Sequence, residues 1–432
     1  MSYRGMAASI LGGAGVGDLI RVRKDGAIYD GVLMPRTELG DEEHIVLKLK
    51  NGYNIGISTS GAEVEVIQKG APREIKRGAI IPADPTKPPV TILGTGGTIA
   101  SRVDYRTGAV HPSFTAQELL TAVPELAGLA NISTKAICNI LSENMTPSHW
   151  TEIARACTDE LNRGAMGVVI AHGTDTMAYT AAALSFMLQD LWKPVVLVGS
   201  QRSSDRPSSD APLNLVSAVR VACSDMGEVT VVMHGSSSDD RCLVHRGTKV
   251  RKMHSSRRDA FRSINTLPLG EVTEGGVRAL SEYRRRKDGV EVKVDARLEE
   301  RVALLKISPG MGQELLERAV DTHRGIVLEG TGLGHVPEYL MEPIARAREE
   351  EKLVVMTTQT LYGRVDMKVY STGRELLTRG GVSGGGMLPE VAYVKLMCAL
   401  GRAKSYEEAK SLMETDLAGE LGPSIGIESF LV

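Results

Sequence analysis

Two short loops hold the residues whose types could make and break a covalent bond. One is Gly94-Thr95-Gly96-Gly97-Thr98-Ile99-Ala100-Ser101, and the other is His172-Gly173-Thr174-Asp175-Thr176. Each sets a glycine one residue before a hydroxyl. A threonine hydroxyl attacks a carbonyl carbon once a base has taken its proton. Glycine lets the backbone come close to a ligand and leaves N–H groups free for a developing oxyanion. The first loop is not G-x-G-x-x-G, because Ile99 stands where the third glycine belongs, and no Gly-Lys-Ser/Thr follows to make a P-loop. Alone, a G-T-G-G-T loop is more often a tight turn, and Asp175 alone could simply cap a helix. Two such loops at the same end of one predicted sheet favour a site.

The elements that must position these loops follow from the apolar runs. Residues 90–93, 167–171, 194–198 and 229–233 read as buried strands. Between them, 114–126, 148–161, 176–191 and 213–223 read as helices, the second begun by Thr146-Pro147. Alternating βα units with continuous apolar strands predict a mostly parallel sheet covered on both faces. Such sheets bind ligands beyond the carboxyl ends of their strands, where both loops fall. A polar stretch, 256–300, carries Arg284 to Lys287, a basic run that reads as a solvated loop or a point of RNA contact. The βα texture resumes at 302–307, 325–328 and 353–356 and ends in helices at 390–400 and 406–417. Gly381-Val-Ser-Gly-Gly385 matches G-x-S-x-G formally, but no strand clearly precedes it, so it reads as a flexible turn. Residues 16–76 differ: short β-prone runs separated by Asp25-Gly26, Asp30-Gly31 and Asn51-Gly52, which are hairpin signals and predict a small all-β barrel. The expected divisions are therefore 1–76, a proline-stiffened linker 77–89, an α/β domain 90–255, a connector 256–300 and a smaller α/β domain 301–432.

Bulk composition narrows the class. A chain of 432 residues with 42% hydrophobic and 24% charged residues is an ordinary globular one with room for two or three domains. Its net charge of -2 argues against an independent grip on nucleic acid, which needs a basic excess. Five scattered cysteines without C-x-x-C and nine histidines without ligand spacing predict neither a disulfide framework nor a metal site. The glycine- and alanine-rich N-terminus lacks the apolar core of a signal peptide, and no apolar run spans a membrane, so the expected location is cytoplasmic.

Thr95 to Ala100 spells T-G-G-T-I-A, and His172 to Thr176 spells H-G-T-D-T. On these motifs the chain resembles the bacterial-type L-asparaginase/glutaminase family from about residue 90 to the C-terminus. With its N-terminal barrel it resembles, over nearly its whole length, the D-subunit family of archaeal glutamyl-tRNA(Gln) amidotransferases. The resemblance implies an asparaginase-like two-domain parallel-sheet sandwich preceded by the small all-β barrel. It implies that Thr98 is the nucleophile and that Thr174 and Asp175 are the second catalytic threonine and its acidic neighbour. It implies that Lys252, ahead of Met253-His254-Ser255-Ser256 and Phe261, is the catalytic lysine, and that Tyr105 assists the nucleophile from a loop. Gly97, Gly173, Ser142 and Glu143 fall at substrate-binding positions. A lysine serves as base when its pocket favours the neutral amine.

The implied activity is hydrolysis of glutamine, or asparagine, to supply ammonia for converting Glu-tRNA(Gln) to Gln-tRNA(Gln). The implied partner is the E subunit (GatE), which would hold ATP and Mg and most of the tRNA contact, with no cofactor in this chain. A homodimer through the asparaginase domains, flanked by partner subunits, would form a heterotetramer. A stand-alone asparaginase and an inactive binding subunit are the alternative expectations.

Overall fold

The computed structural model describes residues 3–34, 41–49, 54–70, 84–96, 101–103, 110–112, 119–120, 123–202 and 209–430. The first unit is antiparallel: β1 (Leu19–Lys24), β2 (Ala27–Leu33), β3 (His44–Leu49), β4 (Asn54–Ser58) and β5 (Glu63–Gln68), in spatial order β4-β3-β2-β1-β5. Period-2 alternation sends Ile20, Val22, Ile45 and Leu47 inward. They meet Ala7 and Leu11 from an unexpected helix, Gly5–Ile10, and its neighbourhood. Asp25-Gly26 makes the predicted tight turn, both residues having positive φ (49° and 78°), which suits a two-residue hairpin. Asp30-Gly31, read as a turn from sequence, lies inside β2 instead. Asp30 is held there by a bidentate ion pair with Arg21, its cross-strand neighbour, at 2.7 Å. Gly31 lets the Lys48 carbonyl approach to where a Cβ would be only 2.7 Å away. Residues 51 and 52 and most of the expected linker lie outside the described residues.

The second unit is an eight-stranded sheet. Its strands are β6 (Pro89–Gly94), β9 (Asn131–Ala136), β10 (Gly167–Ala171), β12 (Val195–Val198), β13 (Val229–His234), β14 (Cys242–Arg246), β17 (Gly270–Thr273) and β18 (Gly276–Ala279). Two small ribbons stand apart from it within the same stretch: β7 (Ser101–Val103) with β8 (Val110–Pro112), and β15 (Val250–Lys252) with β16 (Phe261–Ser263). The spatial order is β18-β17-β14-β13-β12-β10-β6-β9, parallel from β13 to β9 and antiparallel beyond. Residues 256–300 are thus not a plain connector. β17 and β18 extend the sheet through a hairpin whose turn uses Gly276 at φ +116°. These four-residue strands are too polar to stand out in sequence.

β10 shows how the core is divided: Val168 and Ile170 face one layer, Val169 and Ala171 the other. Helix Pro147–Asn162, capped by Thr146 and His149, covers the first face with helix Met177–Met187. Helix Ala211–Ala222 covers the second. Met177–Met187 is shorter than predicted because Leu188–Gln189 (β11) leaves it to pair with Lys293–Val294 (β19), and Asp190 then turns at φ 54°. The helix expected at 114–126 falls mainly outside the described residues; a single helical turn, Leu126–Leu129, follows.

The third unit is a four-stranded parallel sheet, β20 (Val302–Lys306), β21 (Gly325–Gly330), β22 (Leu353–Thr358) and β23 (Gly381–Ser383). β23 corrects the reading of Gly381 to Gly385 as a flexible turn. Val382 is buried, and the segment pairs with β22 as an edge strand, too short to announce itself. Helix Pro389–Arg402 packs this sheet against Met177–Met187, with Tyr179 and Tyr393 edge to face at 6.3 Å. Lys395 and Glu420 form a fully buried ion pair at 2.6 Å beneath the last segment of the chain. All five cysteines are free. Among the described residues no helix is long and apolar enough to cross a membrane.

Candidate active site

Parallel pairing of β6 with β10 sets Gly94 beside Ala171, so the two glycine-bearing loops leave adjacent strands at the same end. Thr95 ties them together: its backbone N–H and its Oγ1 both donate to the Ala171 carbonyl at 3.1 Å. Gly96 follows at φ +105°, with the Ile140 carbonyl where a Cβ would stand 2.4 Å away, so only glycine fits. Gly97, Thr98 and Tyr105 lie outside the described residues. The described chain therefore leads the first loop to the edge of the site, against the segment that carries Ser142.

The second loop is buried at His172 and Thr174 and cross-braced. His172 Nδ1–H donates to the Gly173 carbonyl at 2.6 Å, and its Nε2 accepts from Thr180 Oγ1 at 2.9 Å. Thr180 Oγ1 in turn accepts from Trp150 Nε1–H at 3.1 Å. Burial pushes His172 down to about 4, so it stays neutral and acts as a rigid strut. Gly173 packs on Ser142, whose Oγ would be 2.8 Å from an added Cβ. Thr176 Oγ1 donates to the Ser142 carbonyl at 2.7 Å and fixes that contact. Gly199, at the end of β12, closes the other side, where a Cβ would meet Thr174 Cγ2 at 2.8 Å.

Lys252 reaches this loop from β15. Its Nζ donates to Thr174 Oγ1 at 2.8 Å and to Asp175 Oδ1 at 2.8 Å. Thr174 is buried and the Lys252 side chain is 13% exposed, while that of Asp175 is 65% exposed. One Nζ thus links a buried hydroxyl to a carboxylate open to an incoming ligand. Next to it, Arg251 pairs with the buried Glu390 of helix Pro389–Arg402 at 2.9 Å. Burial pushes the Glu390 carboxyl up, and Arg251 opposes that push.

The structure therefore brings Thr174, Asp175, Lys252, Gly173 and Ser142 together. Glu143 sits beside Ser142 in the turn Ser142–Asn144 and is exposed. Sequence reasoning missed Thr176, Gly199 and the His172–Thr180–Trp150 chain. Thr176 was within reach as the last residue of its motif; the other contacts join residues too distant in sequence to be paired by spacing. Chemically the arrangement offers a proton-handling lysine, a second hydroxyl and a carboxylate for a cationic ligand group. The basic run, read from sequence as a solvated loop or a point of RNA contact, is exposed at Arg284, Arg285 and Lys287. Arg284 and Lys287 lie over the Trp192 ring, and Arg285 pairs with Asp225.

Comparisons with known proteins show the family to which the chain belongs. Residues 89–285 match the family model "Asparaginase, N-terminal", 301–413 match "Glutaminase/Asparaginase C-terminal domain", and 14–67 match "GatD N-terminal domain". The D subunit of glutamyl-tRNA(Gln) amidotransferase from Pyrococcus horikoshii is 56% identical, over 96% of this chain and 97% of its own. The protein of that name from Methanothermobacter thermautotrophicus is 51% identical over 100% of both chains. Among solved structures, the thermostable L-asparaginase of Thermococcus kodakarensis is 37% identical with a TM-score of 0.70, covering 78% of this chain and 100% of its own. L-asparaginase I of Vibrio cholerae is 30% identical with a TM-score of 0.68, covering 78% of this chain and 99% of its own.

Proposed function

Because the chain belongs to the family of glutamyl-tRNA(Gln) amidotransferase D subunits, we propose that it hydrolyses glutamine to supply ammonia for the conversion of Glu-tRNA(Gln) to Gln-tRNA(Gln). The observation that carries the chemistry is Lys252 Nζ held at 2.8 Å from both Thr174 Oγ1 and Asp175 Oδ1. Thr98 attacks the side-chain carboxamide carbon, and its proton passes toward the Lys252–Thr174 pair. The tetrahedral intermediate takes that proton onto its nitrogen, expels ammonia and leaves a γ-glutamyl ester on Thr98, which water then hydrolyses. Asp175 holds Lys252 and meets the substrate's α-ammonium; Ser142 and Gly173 line the position of its carboxylate and amide, and Gly97 is assigned to substrate binding with them. Glu143 adds a second carboxylate at the rim, and Tyr105 assists Thr98.

A member of this family works in an assembly with at least one other subunit. We assign the ATP- and Mg-dependent activation of Glu-tRNA(Gln), with most of the tRNA contact, to the E subunit. Two copies of this chain pair through their asparaginase domains between two copies of that partner. The experiment is a glutaminase assay with and without the E subunit and Glu-tRNA(Gln). We expect activity to rise with both present and to vanish in Thr98→Ala. Loss of partner dependence, with asparagine hydrolysed as fast as glutamine, selects a stand-alone asparaginase. That reading draws on the full coverage of the Thermococcus kodakarensis enzyme by this chain. The N-terminal unit, which matches the "GatD N-terminal domain", weighs against it.

A further inference from the structure

Outside the candidate active site, one cavity of about 130 Å³ gathers three cationic side chains with no carboxylate among its lining residues. Arg246 comes from the end of β14, Lys249 from the turn before β15 and Arg364 from the C-terminal domain. Asn265, Thr266 and Ser424 add polar groups. Lys249 is 7% exposed, and its Nζ makes only one hydrogen bond among the described residues, to the Gly386 carbonyl at 3.3 Å. A buried ammonium carries three donors and normally satisfies them. Arg246 uses Nε and Nη2 on Glu228 and on the Glu282 carbonyl, which leaves Nη1 unused. Arg364 spends Nη1 on the Pro423 carbonyl and keeps Nε and Nη2.

The surrounding charges are distributed unevenly. Glu420 and Asp416 pull on Lys249 from behind the wall, but Glu420 is committed to Lys395 and Asp416 accepts from the Leu421 N–H. Burial pushes Lys249 down to about 8 against the pull of Glu420 and Asp416, with a smaller contribution from the repulsion of Arg246 and Arg364. Arg246 is compensated by Glu228, so what the enclosed space keeps is a set of unspent donors on Arg246, Lys249 and Arg364, which an anion with several acceptor oxygens would satisfy.

We propose that this cavity binds a small oxyanion, the phosphate or carboxylate group of a small molecule, between Arg246, Lys249 and Arg364. The spare donors are directional, and oxyanions with several acceptor oxygens match them. Occupancy joins the β15–β16 ribbon, which carries Lys252, to the segments around Gly386 and Ser424. Asn265 already bridges the same parts through the carbonyls of Gly363 and Gly386, at 2.8 and 3.2 Å.

The test is thermal unfolding of the full chain titrated with low-millimolar sodium sulfate or sodium acetate, against sodium chloride at matched ionic strength. Sulfate stands for a phosphate group and keeps its charge across the pH range; acetate stands for a carboxylate. Saturable stabilisation by either supports the proposal, and the stronger of the two identifies the group. Arg364→Gln, at the exposed rim, and Lys249→Gln each raise the half-saturating concentration about tenfold or more, as loss of a charged hydrogen bond should. In the unsubstituted protein the affinity falls as pH rises through about 8, where Lys249 loses its proton. Stabilisation no greater than that of chloride overturns the proposal. So does an Arg364→Gln protein that responds as the unsubstituted one does.

Discussion

Replacing Lys252 by methionine separates chemistry from folding, and the structure sets both magnitudes. The ion pair it breaks is half in water, since the Asp175 side chain is 65% exposed, so it contributes less than about 1 kcal/mol to stability. For a protein of this size that is a shift of a few degrees at most in melting temperature. The catalytic loss is expected to be far larger. A positioned general base contributes about a hundred- to ten-thousandfold in rate, or about 3–5 kcal/mol of barrier. Methionine keeps the length and the apolar stem but offers Thr174 no proton exchange. Glutaminase kcat, measured with the partner protein and Glu-tRNA(Gln) present, should therefore fall at least a hundredfold, with KM and melting temperature little changed. Lys252→Arg should be equally impaired, because a guanidinium keeps its positive charge but cannot take up a proton. Retention of more than about a tenth of kcat by Lys252→Met would remove the lysine from the chemistry.

Glu420→Gln leaves the fully buried Lys395 ammonium without its counter-charge and should cost about 3–5 kcal/mol of C-terminal-domain stability. Chemical denaturation followed in that domain checks it, and a double variant with Lys395→Met should recover part of the loss; strict additivity would refute the coupling. Gly173→Ala places a methyl 2.7 Å from Ser142 Cβ, so the KM for glutamine should rise more than kcat falls; an unchanged KM contradicts the packing argument. His172 is neutral in the fold down to about 4, whereas in an unfolded chain it takes up its proton near 6.5. Its contribution is intact above pH 6.5 and is lost as pH falls toward 4. At about 1.4 kcal/mol per pH unit that is about 3 kcal/mol, and the loss should be smaller in His172→Gln melts over the same range.

Much of this architecture could be read from the residues because burial writes a strong pattern. The strands at 90–93, 167–171, 194–198 and 229–233 are apolar on both faces, and all four are parallel neighbours in the sheet. Thr146-Pro147 starts its helix because a hydroxyl cap and a residue without an N–H suit that position. The misreadings are local signals overridden by tertiary contacts. Asp30-Gly31 has turn chemistry, but Arg21 across the strand and the Lys48 backbone above it make an extended conformation better. Gly381–Ser383 and Gly270–Thr273 are strands only because longer strands offer them partners. At the candidate site, Thr174 and Asp175 were marked by glycine and hydroxyl spacing. Lys252, 77 residues beyond Asp175, was found by resemblance alone, since no local pattern announces a residue brought in by a separate ribbon.

That ribbon has a consequence for how the protein can be divided. β15 and β16 belong to neither large sheet. They are stitched to the far end of the polypeptide by Arg251 to Glu390, Lys249 to Gly386, and Asn265 to Gly363 and Gly386. Both sequence signatures lie in the first half of the asparaginase body, yet the ribbon that brings Lys252 to the second of them is held by residues more than a hundred positions later. A fragment ending before residue 363 would still carry every recognisable signature and would have lost the contacts that anchor the ribbon bearing Lys252.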